Sequence, residues 1–286
     1  MEKRLADLEV GERIKFGRYA VDGEEPHDIV WIKVHRDNTF MTEHIEDFRA
    51  FDAKEPTSPD EYRRGYGNND YSNANIRQFL NSADESWFAE QHEHDAAPSA
   101  EATHDNTPYE YHRGFLNLFT AGEYEAIEYS DVETVIPRVG LITMEQKVSL
   151  PSRANIYGDE NNGFMEGQFW DYFNVYGESR RATPTNEAID NTTLTGYTVN
   201  HGNNWYYWLR SALCSNSCGV HYVDRDGNCS DCCNAYQGVI GVRPALKLNP
   251  NILISGEDSN GYPILNLPEA KEVEFSSEEF LNILNI

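Results

Sequence analysis

Alternation of apolar and polar positions is clearest near the start of the chain. Ile14-Lys15-Phe16-Gly17-Arg18-Tyr19 and Ile29-Val30-Trp31-Ile32-Lys33-Val34 are β-branched and aromatic runs bounded by polar turns, and they predict two strands. The period then changes. After a Pro-, Asp- and Gly-rich loop over residues 52–70, Ser72-Asn73-Ala74-Asn75 leads into Ile76-Arg77-Gln78-Phe79-Leu80-Asn81. Ile76, Phe79 and Leu80 of that run share one helical face. Trp87-Phe88 closes the unit, and residues 90–112 are charged, His-containing and loop-like. Phe115 to Phe119 precede Thr120-Ala121-Gly122-Glu123, where Thr120 and Glu123 fit a capping box. Val139-Gly140-Leu141-Ile142 predicts a short buried strand. Asn, Gly and Thr dominate residues 151–204, which predicts long loops, and strands resume near Trp205–Leu209 and Val239–Leu248. Beyond Asn249 the tail changes character. Ser276 and Glu279 form another capping box before Phe280, Leu281, Ile283, Leu284 and Ile286, an amphipathic helix that docks on its own domain or on a partner. No internal repeat of fixed period is present.

Composition narrows the class. The chain has 286 residues, with 23 Lys+Arg against 48 Asp+Glu, a formal charge of −25. Its length suits one or two domains: residues 1–250 as a single domain and 251–286 as an acidic tail. Mean hydropathy is polar at −0.66, yet 17 Tyr, 13 Phe and 5 Trp are too many aromatics for a disordered acidic chain. A pI near 4.6 argues against a nucleic-acid partner, since phosphate repels such a surface. No apolar run is long enough for a membrane span. The opening residues lack the apolar h-region of a Sec signal, so Sec export is not expected.

Cysteine placement is the sharpest anomaly. All five, Cys214, Cys218, Cys229, Cys232 and Cys233, fall within twenty residues, and the other 266 positions have none. A disulfide framework would tie distant segments together with an even count. Cys214-x3-Cys218 with Cys229-x2-Cys232 has usable zinc spacing, but Cys233 is left over and Gly-rich knuckles are missing. A reactive thiol needs a cation or a helix N-terminus close by, and only Arg225 and His221 are near in sequence. His92-Glu93-His94-Asp95 with His104-Asp105 lacks helical ligand spacing and reads as a solvated acidic loop. Asp224-Arg225-Asp226-Gly227-Asn228 imitates the start of a calcium loop. It fails at Cys229, where Gly is required, and at Ala235, where Glu is, so a hairpin turn at Asp226-Gly227 is the better reading. No metal or other cofactor is expected.

A statistical reading accounts for the window better. Residues 212–236 hold five Cys, three Ser, three Asn, three Asp and two Tyr, and no Lys, Glu, Gln, Met or Trp. Against this chain's composition, that absence arises by chance in roughly one window in a hundred. Randomising the adenines of an A-A-pyrimidine codon yields Asn, Ser, Cys, Asp, His, Tyr, Arg and Gly, but none of the missing five. The cysteine cluster then needs no chemistry.

The flanks carry a resemblance. Tyr207-Trp208-Leu209-Arg210-Ser211 before the window and Gly241-Val242-Arg243-Pro244-Ala245-Leu246 after it resemble the framing motifs of a bacterial and phage C-type-lectin-like family. That family includes variable proteins of diversity-generating retroelements. The likeness extends back through Tyr66-Gly67-Asn68-Asn69, Asn75 to Ser82, Gly114-Phe115-Leu116-Asn117 and Val139 to Ile142, covering most of residues 11–248. It implies an α+β, C-type-lectin-like fold: a small twisted antiparallel sheet with short helices and long loops. It also implies ligand binding rather than catalysis, with a diversified segment at about residues 212–237. The tail after 249 lies outside the pattern. Two alternatives stay open: an undiversified structural or adhesion module of the same fold, and an enzyme related to formylglycine-generating enzymes, with its thiol pair drawn from Cys229, Cys232 and Cys233.

The expected site follows. Val220 and Val223 anchor a strand, while His221, Tyr222, Asp224, Arg225, Asn228, Ser230, Asp231, Asn234 and Tyr236 form a solvent-facing patch. Cys214, Ser215, Asn216 and Ser217 make its rim, and Gly219, Gly227 and Gly238 shape the turns. Tyr, Ser and Asn are also the residues paratopes use. Tyr222, Tyr236 and Arg225 are the expected energetic anchors. Trp208, Leu209, Val239, Val242 and Leu246 are the expected buried framework, with Arg210 and Arg243 pairing with carboxylates beneath the sheet. The expected partner is a macromolecule on a target cell surface, and the expected setting is a phage virion, tail-associated, or a bacterium. Docking through the tail is a further expectation.

Overall fold

The computed structural model describes residues 2–267 apart from 22–24, 106, 176, 193 and 195, and leaves the side chains of 177, 178 and 232 undescribed. The expected terminal helix at 276–286 lies outside these residues. In chain order the first strands are β1 (Lys3–Arg4), β2 (Arg13–Tyr19), β3 (His27–His35), β4 (Thr39–Thr42) and β5 (Asp47–Phe48). Helices α1 (Glu61–Tyr66), α2 (Asn75–Leu80) and α3 (Ala121–Ala126) follow, then β6 (Ile127–Glu128), β7 (Ser130–Ile136), β8 (Gly140–Gln146) and β9 (Val148–Ser149). Helices α4 (Arg153–Tyr157), α5 (Asp171–Val175) and α6 (Asn186–Asp190) interrupt the stretch expected to be loop. The chain ends in β10 (Tyr207–Ala212), β11 (Gly219–Val223), β12 (Cys229–Asn234), β13 (Gly241–Val242), β14 (Ala245–Leu248), β15 (Leu253–Glu257) and β16 (Pro263–Asn266).

Apolar pattern and side-chain caps explain most of these elements. Ile14, Phe16 and Tyr19 of β2 point into the core while Arg13 and Arg18 stay in solvent, the alternation of a half-buried strand. Gly17, at φ 69°, sits where the β2–β3 register slips, and a Cβ there would meet the Phe119 ring at 2.3 Å. Helix α2 buries Ile76, Phe79 and Leu80, the expected face. The Thr120–Glu123 capping box starts α3 as expected. Glu123 also accepts from the Gly17 amide at 3.0 Å, tying helix to strand.

The fold is α+β, with short helices packed around largely antiparallel sheets. Six strands run in the order β2-β3-β4-β14-β6, with β9 also on β14, and five in the order β12-β11-β10-β13-β5. Only β10–β13 pairs in parallel among the pairs within these two sheets. Strands β7 and β8 form a separate hairpin, and β15–β16 pair with β1 in a three-stranded sheet that the sequence pattern did not predict. One buried core joins the two large sheets, through Trp31, Phe40, Phe48, Phe51, Trp205 and Trp208 among others. Trp208, Leu209, Val239, Val242 and Leu246 are all buried, as expected of the framework. The run Val139–Ile142 differs from expectation. It enters β8, but Val139 is 71% exposed and Leu141 and Ile142 are half-buried, because the hairpin has only one covered face.

Candidate functional site

The window occupies β11, β12 and the loops at their ends. Antiparallel pairing sets Gly219 opposite Asn234, Val220 opposite Cys233, Tyr222 opposite Ser230 and Val223 opposite Cys229, with one irregularity between Val220 and Tyr222. Strand β12 is the sheet edge and β11 lies between it and β10.

Framework groups grip this segment by its main chain. Asn69 Nδ2 donates to the carbonyls of Leu213 (3.1 Å), Asn216 (3.1 Å) and Gly219 (2.8 Å), and the Asn69 amide donates to Ser217 O at 3.1 Å. At the β11–β12 turn, Tyr157 Oη donates to Gly227 O at 2.9 Å and Arg181 Nε to Asp226 O at 3.0 Å. The far end is held by amide–carbonyl bonds from Tyr236 to Tyr66 and from His104 to Tyr236. None of these contacts reads a window side chain.

Two window side chains do shape their own turns. Asn216 Oδ1 accepts from the amides of Cys218 (3.1 Å) and Gly219 (2.6 Å). Asp224 Oδ1 accepts from Asp226 and Asn228 amides at 2.8 and 2.9 Å, with Gly227 at φ 86° completing the turn. That carboxylate is therefore spent on backbone, as the hairpin reading of Asp226-Gly227 requires and a calcium loop would not.

Exposure divides the thirteen expected residues. Ser215, Arg225, Asn228 and Asp231 are exposed, and Cys214, Asn216, Asp224, Ser230, Asn234 and Tyr236 are half-buried. Three differ from expectation: Ser217, His221 and Tyr222 are only 9%, 6% and 7% exposed. For His221 and Tyr222 the reason is that β11 is an interior strand covered on both faces, so alternation does not bring either set to solvent. Ser217 lies in the loop before β11, beside Asp60 and Arg63. Tyr222 packs edge-on against Tyr206 at 5.8 Å. His221 lies 3.9 Å from Cys229 Sγ, and burial, with Arg153 close by, lowers its pKa. Arg225 stacks its guanidinium over the rings of Trp205 (3.8 Å) and Tyr206 (4.9 Å), so framework aromatics orient an exposed window cation. Tyr236 is wedged between Tyr66, His104 and the Lys54 ammonium.

Cys214, Cys218, Cys229 and Cys233 are not in disulfides. Burial pushes the thiols of Cys218 and Cys229 up to about 11 and raises that of Cys214, the opposite of an activated nucleophile. No group of three or more metal-ligating side chains converges among the described residues. His92 instead pairs with the buried Glu55 at 3.3 Å.

The two arginines beneath the sheet are buried, but their partners differ from expectation. Arg210 donates to the carbonyls of Glu133, Leu150 and Glu166 and to Asn155 Oδ1, at 2.6–2.9 Å. Arg243 donates to Thr42 O at 2.8 Å and lies over the Tyr207 ring. Carbonyls replace carboxylates because the surrounding loops leave main-chain acceptors that only a forked donor can reach together. The gripping residues Asn69, Tyr157 and Arg181 were missed by sequence reasoning. Only Asn69 carried a signal, as part of the Tyr66-Gly67-Asn68-Asn69 motif.

The family described as a domain of unknown function (DUF6273) matches residues 37–250, and the chain belongs to it. No curated protein and no solved structure matches the chain. The matched span runs from β4 to β14 and includes the whole window.

Proposed function

We propose that this chain is a C-type-lectin-like ligand-binding protein and not an enzyme. Its segment at about 212–237 is diversified by retroelement-directed adenine mutagenesis and recognises a macromolecule on a target cell surface. The observation that carries this reading is the main-chain grip. Asn69, Tyr157 and Arg181 hold the carbonyls of Leu213, Asn216, Gly219, Asp226 and Gly227 from outside the window. A segment held in this way tolerates exchange at Ser215, Arg225, Asn228, Ser230 and Asp231 without losing its conformation, which diversification requires. The raised thiols support non-covalent binding over the formylglycine-type alternative. A phage virion or a bacterial surface is the setting we favour, with docking on a carrier through the tail as part of the proposal.

The test is a display library with those five positions scrambled, panned against target cells. Recovery of binders with altered targets, all folded, is the expected result. Unchanged target binding after scrambling would sink the proposal. Adjacent genomic sequence supplies a second test, since a reverse transcriptase gene and an adenine-bearing template copy of the window are expected beside the gene.

A further inference from the structure

A small cavity lies where the window meets the rest of the fold. It measures about 60 Å³, room for a few water-sized groups, and is lined by Asp60, Arg63, Pro137, Arg138 and, from the window, Cys214, Asn216 and Ser217. Arg63 belongs to α1, and Arg138 to the β7–β8 turn, where its backbone takes the left-handed region at φ 69°. Among the described residues neither guanidinium makes a hydrogen bond or ion pair, although Glu55 and Asp60 feel Arg63 at longer range. Ser217 is nine-tenths buried, and its Oγ lies close enough to the Asp60 carboxylate to hold that charge without meeting any partner at full hydrogen-bond geometry. A buried hydroxyl held this loosely costs free energy unless something satisfies it better.

We propose that this cavity is the subsite for a single anionic group of the ligand, a carboxylate or a sulfate or phosphate ester. Arg63 and Arg138 supply forked donors, and Ser217 Oγ turns from Asp60 to donate a third bond. Guanidinium forks match such oxyanions in geometry as well as charge. The balance of charge favours it. Two arginines face one carboxylate here, in a chain that carries −25 overall. The carboxylate is also engaged elsewhere: Asp60 caps α1 by accepting from the amides of Tyr62 and Arg63. Burial raises the Asp60 carboxyl, but Ser217 and these amides outweigh it and hold the group below its ordinary range. The subsite would thus be shared. The framework supplies the charge, and the variable Cys214, Asn216 and Ser217 set what may surround it.

This inference rests on the reading of the 213–218 loop as a contact surface. The experiment is arginine side-chain NMR on the full chain, titrated at fixed ionic strength with sodium sulfate, sodium phosphate and sodium glucuronate in separate arms. Saturable shifts confined to Arg63 and Arg138 are expected, weakened about tenfold or more in Arg63→Gln and in Arg138→Gln. Arg63→Lys should retain part of the binding and Arg113→Gln all of it. Saturation by sulfate or phosphate alone identifies an ester group, and by glucuronate alone a carboxylate. Shifts that climb linearly and equally at all exposed arginines, or affinities unchanged in both Gln variants, would overturn the subsite. Arg138→Gln should leave the melting temperature unchanged, whereas Arg63→Gln should lower it modestly, since Arg63 helps hold the charge of the buried Glu55. If anions fail to bind while window scrambling still abolishes target binding, the subsite falls and the recognition reading stands. The reverse pattern leaves the subsite and removes the reading.

Discussion

The Asn69 carboxamide spans three carbonyls in a loop 144 to 150 residues further along the chain. Truncation to alanine would leave those acceptors short of a donor in a largely buried place, so Asn69→Ala should cost about 1–3 kcal/mol. Asn69→Asp should cost more, because a carboxylate would then face carbonyl oxygens. Urea denaturation measures both. Trp208 sets a second scale. It is wholly buried, donates its Nε1–H to Arg49 O at 2.9 Å and packs against Phe51. Trp208→Ala should cost about 3–5 kcal/mol, and the buried Tyr222, once expected at the surface, joins it at on the order of 3 kcal/mol for Tyr222→Ala. Ser215→Tyr, Asn228→Tyr and Asp231→His lie at exposed positions and should each move stability by about 0.5 kcal/mol or less. A melting series that ranked Asp231→His with Trp208→Ala would mean that the window is core.

Strands explain why part of the site was legible and part was not. Strand β2 and helix α2 declare themselves, because one side of each meets water and the apolar period survives in the sequence. Strand β11 hides its surroundings. Gly219–Val223 is buried throughout, so Val220 and Val223 look like anchors while His221 and Tyr222 look like display positions, although all four are covered. Burial of His221 and Tyr222 depends on β12, on Tyr206 and on the neighbourhood of Arg153, which no local pattern can state. The buried framework was legible through the two flanking motifs, whereas the window stood out only by its missing residue types. The partners of Arg210 and the grip of Asn69 are contacts between segments far apart in sequence, and only the folded chain brings them together. At this scale the turns make a prediction of their own. Gly227 holds φ 86° against the side chains of Arg180 and Arg181, so Gly227→Ala should destabilise the β11–β12 hairpin by about 1 kcal/mol or more. Hydrogen exchange should show faster opening of the β12 amides than of β10.

Over the whole molecule, charge and titration set a pH optimum whose side can be worked out. A net charge of −25 repels itself more when folded than when expanded, so removing negative charge stabilises the fold. Asp52 is buried and its carboxyl is raised well above the ordinary 3.8, mainly by that burial. A carboxyl with a raised folded pKa binds its proton more tightly in the native state, so stability is lost as pH rises from 3.8 through the folded value. Burial lowers the pKa of His27, but the hydrogen bond and charge of Glu46 outweigh it and the net shift is upward. Its contribution is complete below 6.5 and is lost as pH rises through the folded value. His221 has the opposite sign. Burial and Arg153 lower it, so its contribution is present above 6.5 and is lost as pH falls through the lowered value. These slopes meet near the ordinary histidine range. The melting temperature should therefore peak at about pH 6–6.5 and fall toward about pH 8.5. Added NaCl should recover part of the alkaline loss by screening the surface charge, and should do less near the peak. His27→Gln should flatten the alkaline limb, and His221→Gln the acid limb. A melting curve that rose steadily from about pH 6 to 8.5 would contradict the signs assigned to His27 and the net charge together.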